Sequence, residues 1–316
     1  MRPRIPPILF GLALIASCTP AKAPPIRGAF AATQITERVY VIHGPNEVPS
    51  KHNQGFMNNP GFVLTGKGVV VVDPGSSVQV GEMVLAKIAA ATKDPVIAVF
   101  NTHVHGDHWL GNQAIKAAYP KAVIYAHPKM KAKSPTEGPA WVERIDRMTE
   151  GAIRGTRPVA PDVHIEHDET LALGGAHFRI YHGGPAHTDG DIMIEVVEEK
   201  TMFLGDNVFA ARIGRMDDGH FAGNVAAIEL ALKSSAVHFI PGHGPSGGRE
   251  VPTAYRDYFK GLVAAVKKYS EQGMADFEMK PKVLEALAAF KGWKDFDTEV
   301  GRHIGQAYLQ IEADSF

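Results

Sequence analysis

The segment Asn101-Thr102-His103-Val104-His105-Gly106-Asp107-His108 constrains this chain more than any other. It ends an apolar run over residues 96–101 that reads as a strand, and it turns at a glycine, where a rigid sheet can hold several side chains on one spot. His103 and His105 are two positions apart and point the same way in extended backbone. The turn then swings Asp107 and His108 towards a neighbouring position, so one strand end supplies ligands for two adjacent metals. Histidine is scarce in proteins, and solvation of a surface loop does not account for three of them beside an aspartate within six positions. Three further polar residues stand alone at strand ends or among glycines: His187 after Pro185-Ala186, Asp206 after Leu204-Gly205, and His243 after Pro241-Gly242. Small neighbours let a backbone come close to a shared centre.

Periodicity predicts how the chain carries these residues. The first half reads as a strand over 38–42, a hairpin over 61–73 turning at Gly66-Lys67-Gly68, a helix over 78–92, the strand at 96–101, a helix over 113–119 and a strand over 122–126. Residues 128–161 are rich in Pro, Gly and charge, and predict a loop-rich insertion with one short helix over 141–148. Strands follow over 169–173, 176–181, 191–197, 201–204 and 237–240, with a helix over 225–233. Residues 251–316 read as a helical region, over 251–272, 281–290 and 297–311, packed on the same domain. Two sheets packed face to face, with helices outside, bury both sets of strands. The polar segment 43–60 is longer than most connections, as binding loops are, and His52, Phe56 and Met57 within it are candidates for substrate contact. Asp73 closes a buried-looking valine strand, where it either hydrogen-bonds a ligand histidine or caps a turn.

The pattern HxHxDH, then a lone His before a Thr-Asp-Gly turn, then Gly-Asp after an apolar strand and Gly-His after another, resembles the metallo-β-lactamase fold superfamily over about residues 38–248. That resemblance implies an α/β fold, a four-layer αβ/βα sandwich spanning residues 37–250 with extra C-terminal helices. It also implies His103, His105 and His187 on a first metal, Asp107, His108 and His243 on a second, and Asp206 bridging both. Imidazole and carboxylate without thiolate suit two Zn2+ and tolerate iron or manganese. Two such cations lower the pKa of a shared water from about 16 towards 7. The hydroxide attacks the carbonyl or phosphoryl centre of a small ester, thioester, lactone or lactam, and Asp107 orients it and passes a proton to the leaving group. Asp206 stands where β-lactamases usually carry Cys or a non-ligand Ser, so the full set is closer to glyoxalase II and the lactonases. Three alternatives remain: a β-lactamase proper, an iron-dependent dioxygenase of the same fold, distinguished by iron content and oxygen consumption, and a non-catalytic exported metal-binding protein. The last needs no open metal position.

Composition narrows the partners. A formal charge of −1 over 316 residues, with no basic run, gives no attraction for nucleic acid and leaves a small molecule as the expected partner. Residues 1–23 have the build of a secretion signal, with Arg2 and Arg4 before an apolar stretch over 8–16. The cut falls either before Cys18, where Ile15-Ala16-Ser17-Cys18 resembles the bacterial lipobox, or after Ala23. Cys18 is the single cysteine, so lipidation gives it a purpose that no internal disulfide could. Either cut predicts an exported, periplasmic protein, the cut before Cys18 adding a lipid anchor as its one membrane contact, and a linker follows over residues 24–36.

Overall fold

The computed structural model describes residues 22–313; the signal-like stretch up to residue 21, with Cys18, lies outside the described residues. The first sheet runs in chain order through β1 (Thr33–Gln34), β2 (Val39–Val41), β3 (Gly61–Leu64), β4 (Val69–Val72), β5 (Val96–Phe100), β6 (Val123–Ala126) and β7 (Val163–His164). Its first four strands pair antiparallel and the rest parallel. The parallel half needs crossovers, and these carry α1 (Val78–Ala91), α2 (Gly106–Trp109), α3 (Asn112–Ala118) and α4 (Pro128–Met148). A second sheet orders β8 (Thr170–Leu173), β9 (Ala176–Tyr181), β10 (Met193–Val196), β11 (Thr201–Phe209) and β12 (His238–His243). It is antiparallel except for β11 and β12, which α5 (Phe221–Leu232) connects. Helices α6 (Glu250–Ser270), α7 (Asp276–Ala286) and α8 (Phe296–Ala313) complete the described chain.

Alternation along the strands fixes the layers. In β4, Val69 and Val71 pack with Val80, Val84 and Ile88 of α1, while Val70 and Val72 face the second sheet and join Phe178, Ile180 and Ile194. A strand covered on both faces is read out as an unbroken run of valines. In β11, Phe203 points between the sheets, whereas Met202 and Leu204 turn towards α5 and α6. The order is therefore helix, sheet, sheet, helix, the αβ/βα sandwich expected. Helices α6, α7 and α8 share that last layer through Tyr258, Phe259, Val283 and Ile304. Within it His303 of α8 is fully buried, its Nε2–H donating to the Gly214 carbonyl at 2.9 Å and its Nδ1 accepting from the Tyr258 hydroxyl at 2.9 Å. Burial pulls its pKa down to about 4.

Four expectations need correction. Residues 128–148 form one helix of 21 residues rather than loops around a short helix. Pro135 and Pro139 lie inside it, each lacking an N–H, which is why the segment reads as broken. The carbonyl that Pro135 would have bonded, that of Lys131, accepts instead from the Ser134 hydroxyl at 3.0 Å. The linker over 24–36 is a packed strap: Phe30 meets Phe56 edge-on at 4.8 Å, Gln54 bonds Arg27 N–H and the Pro25 carbonyl, and Thr33–Gln34 form the edge strand β1. β11 and β12 run on to Phe209 and His243, because Gly205-Asp206-Asn207 and Gly242-His243 stay buried in the ladder, with a register slip at Gly205. Finally, α7 ends at Ala286 and a separate 3-10 turn holds Ala288–Phe290, in place of one helix over 281–290.

Candidate metal centre

Strand ends from both sheets meet at one edge of the sandwich. After β5 the chain turns through Asn101 to His105 into α2. Trp109, fully buried, holds that turn by donating Nε1–H to the Val104 carbonyl at 2.7 Å. β11 brings Asp206, β12 ends on His243, and the connection between β9 and β10 brings His187. That connection is pinned where the Thr188 N–H donates to the buried Asp191 carboxylate at 2.5 Å. Two glycines make the convergence possible. Gly205 has φ +54, and a side chain there would strike Thr102; a Cβ on Gly242 would strike the Asp206 carboxylate itself.

All seven residues named from the sequence come together, in two groups. His103, His105, His187 and Asp206 form one, and Asp107, His108, His243 and Asp206 the other, each with its donor atoms within 4.8 Å of one another. Asp206 belongs to both. Its Oδ2 faces His187 Nε2 at 3.5 Å and His103 Nε2 at 3.8 Å, while its Oδ1 faces His108 Nε2 at 3.0 Å and His243 Nε2 at 3.3 Å. Asp107 Oδ2 stands 3.3 Å and 3.2 Å from the same two nitrogens of the second group.

Outer partners fix which nitrogen each ring turns inward. His108 donates Nδ1–H to Asp73 at 2.8 Å, His243 donates Nδ1–H to the Met57 carbonyl at 3.0 Å, and His103 Nδ1 meets Thr102 Oγ1 at 3.0 Å. Thr102 in turn donates its hydroxyl to Asp73 at 2.7 Å. These assignments turn Nε2 of both His108 and His243 inward, 3.3 Å apart. His105 is turned the other way: Nε2 lies 3.1 Å from Asp218, and Nδ1 points inward to within 3.0 Å of His187. Asp73 therefore sits behind a histidine of the cluster rather than serving as a turn cap alone.

The electrostatics test whether cations fit. His103 Nε2, His187 Nδ1 and Asp206 Oδ1 are buried without a hydrogen-bond partner. Burial, reinforced by His108, drives His103 well below its ordinary pKa, and burial takes His187 down to about 3. Burial raises Asp107 and Asp206, yet His108 and His243 outweigh it and keep both carboxyls ionised. His108 is likewise opposed by burial but carried well above its usual value by Asp206, Asp107 and Asp73. Two buried carboxylates demand positive charge between them; protons on His108 and His243 supply it when those rings carry them, and divalent cations, suited to such an N/O donor set, can supply it in their place. The residues present fit a pair of metal ions.

A cavity of about 260 Å³ opens onto this cluster. His105, Asp107, His187, Asp206 and His243 line its inner end, with Phe209 stacked 4.8 Å from His243. Of the three residues named for substrate contact, Met57 alone lines it. Phe56 is fully buried in the core beneath the first sheet, and His52 lies exposed outside the cavity. The loop's anchoring explains this: Asn59 is bonded to the Pro241 and Gly244 carbonyls and Asn53 folds back on its own turn, so the apolar Phe56 points to the core. The wall also includes Trp141, Arg144, Ile145 and Met148, which sequence reasoning passed over. Their i, i+3, i+4, i+7 spacing falls within the helix expected over 141–148, but spacing alone does not tell a cavity wall from a core face.

The sequence profile of the metallo-beta-lactamase superfamily matches residues 53–243. A hydroxyacylglutathione hydrolase of Synechococcus sp. (strain JA-3-3Ab) is 33% identical over 149 residues, covering 47% of this chain and 47% of that one. The match thus spans about half the length of that relative. A probable metallo-hydrolase of Streptococcus pyogenes serotype M6 is 26% identical over 194 residues, 60% of this chain and 79% of the relative. Among solved structures, a metallo-beta-lactamase from Pontibacter korlensis superposes with a TM-score of 0.60 at 20% identity, covering 73% of this chain and 99% of its own, a likeness of fold.

Proposed function

The chain belongs to the metallo-beta-lactamase superfamily, and from that premise we propose that it is a dinuclear metal-dependent hydrolase of small esters, thioesters, lactones or lactams, with zinc as its metal. One observation carries the reading: the two oxygens of Asp206 each face a separate set of inward-turned nitrogens, an arrangement suited to bridging a pair of ions. When bound, such ions supply Lewis acidity and a water acidic enough to ionise near neutral pH. His103, His105 and His187 would hold the first and Asp107, His108 and His243 the second. Asp73 and Thr102 keep His108 and His103 in the tautomers that leave Nε2 free. Asp107 lines the cavity as an ionised carboxylate, placed to orient the attacking water and to receive its proton for the leaving group. The cavity's size suits a small molecule. Similarity to hydroxyacylglutathione hydrolases supports thioesters and esters over lactams.

Purified, metal-assayed protein offered lactams, lactones, thioesters and phosphodiesters tests this reading. We expect about two metal ions per chain and hydrolysis of at least one acyl class. Asp107→Ala should lower that turnover about 10²–10⁴-fold while leaving the circular dichroism spectrum unchanged. Unchanged turnover in Asp107→Ala would refute the role assigned to the site. Iron with oxygen consumption would move the assignment to a dioxygenase. We further propose export, with the signal cut before Cys18. Ala23 is hydrogen-bonded through its N–H to Arg154 and through its carbonyl to Gln79, which favours the cut that retains it over the one that removes it. Cell fractionation with mass analysis of the N-terminus tests this.

A further inference from the structure

Resting on the hydrolase reading, we infer that the substrate is a small anionic acyl compound with an apolar body, whose carboxylate is taken by Arg144. Four residues of α4, namely Trp141, Arg144, Ile145 and Met148, share one helical face, and that face lines the cavity leading to the metal cluster. Trp141 touches both the cluster and Arg144: its ring lies 4.9 Å from that of His105, and the Arg144 guanidinium sits 4.8 Å from its centroid. A group bound at Arg144 is thus one indole away from the reacting centre.

Charge balance singles Arg144 out from the other arginines of the wall. Arg212 is nearly buried and bonded to Asp295 at 2.7 Å, and Arg215 is paired with Asp217 at 3.1 Å. Arg144 forms no ion pair among the described residues; its stacking on Trp141 leaves the guanidinium edge, with its N–H donors, open to an anion. Apolar surface at the mouth defines the rest of the ligand. Val48 is 53% exposed and Met148 40% exposed, and both line this cavity together with Pro49 and Met57. The carboxylates at the same wall are engaged, Asp218 by His105 at 3.1 Å and Asp217 by Arg215 at 3.1 Å, so exposed aliphatic side chains gathered beside one unpaired cation fit a ligand that is apolar along most of its length and singly charged. Planar, bidentate recognition by arginine favours a carboxylate over a diffuse negative charge.

The test uses the full-length, metal-loaded protein and two matched pairs of probes. Binding of 3-phenylpropanoate and of its neutral amide is measured by calorimetry, and hydrolysis of the phenylacetyl thioester of mercaptoacetate is compared with that of its methyl ester. The acid should bind about tenfold more tightly than the amide, and the charged thioester should show about tenfold higher kcat/KM, mostly through KM. In Arg144→Met both ratios fall towards one, whereas Arg147→Gln, on the same helix but outside the cavity, keeps them. Equal binding of acid and amide by the native protein overturns the inference. So does a preference that survives Arg144→Met, because it assigns the anion to the metal centre. Discriminating binding without turnover of either thioester supports the Arg144 assignment while counting against the hydrolase reading, so the two failures are distinguishable.

Discussion

Asp73 has φ +49, a left-handed conformation that an aspartate tolerates better than most residues, and from it accepts three hydrogen bonds: Thr102 N–H at 2.8 Å, Thr102 Oγ1–H at 2.7 Å and His108 Nδ1–H at 2.8 Å. It thereby ties β4 to the turn after β5 and orients two rings at once. Asp73→Ala should weaken metal binding about 10–100-fold, read by competition with a chromophoric chelator, and an unchanged affinity would remove its positioning role. At this scale the cluster was legible because its donors are rare residue types beside glycines. Gly242 and Gly205 read as small neighbours, and the Cβ positions they lack lie against Asp206 and Thr102. Phe56 was not legible: its chemistry suits a cavity wall as well as a core, and only the anchoring of Asn53 and Asn59 decides between them.

Among the elements, β-strands announced themselves through valine runs and alternation, while α4 did so only over its final stretch, residues 141–148. Local propensity counts Pro135 and Pro139 against a helix, each by roughly 3 kcal/mol. Burial of Met130, Ser134, Gly138 and Ile145 against neighbouring segments favours it, and tertiary packing prevails. The two-residue strands β1 and β7 are too short to show a period. Helix α8 carries a titration that should be measurable. His303 is held neutral with a pKa of about 4 against 6.5 for the free side chain, so the unfolded chain binds the proton more readily between those values. Its contribution is present above pH 6.5 and lost as pH falls towards 4, by about 3 kcal/mol. Urea unfolding of chelated protein at pH 7.5, 6 and 5 should show native stability falling faster than that of His303→Gln. Parallel slopes would place the acid sensitivity elsewhere.

For the molecule as a whole, the sandwich followed from two blocks of apolar strands that each needed covering, and the core between the sheets is where its cohesion lies. Phe178, fully buried there against Phe100 at 5.5 Å, should cost about 3–5 kcal/mol on truncation to alanine, measured by denaturant unfolding. Metal removal acts on the same total. With free metal at a thousandfold excess over its dissociation constant, binding adds about 4 kcal/mol, and chelation should lower the melting temperature by roughly 10 °C. An unaltered melting temperature would show that the cluster holds no ion in solution. Among the described residues no helix is long and apolar enough to cross a membrane. The strap over residues 22–36 escaped sequence reading because Pro and Ala imply a spacer, whereas Ile26 and Phe30 supply the packing that fastens it.

The donors come from both sheets: His103, His105, Asp107 and His108 follow a strand of the first, while Asp206 and His243 belong to strands of the second. Among the described residues no strand of one sheet pairs with a strand of the other; single bonds cross at the rim, Ile192 N–H to the Thr102 carbonyl and Asn59 N–H to the Gly242 carbonyl, both at 2.9 Å. Ions seated in the cluster would therefore act as a clasp across the seam of the molecule. Withdrawing them would loosen the rim where the halves meet before it disturbed either half alone.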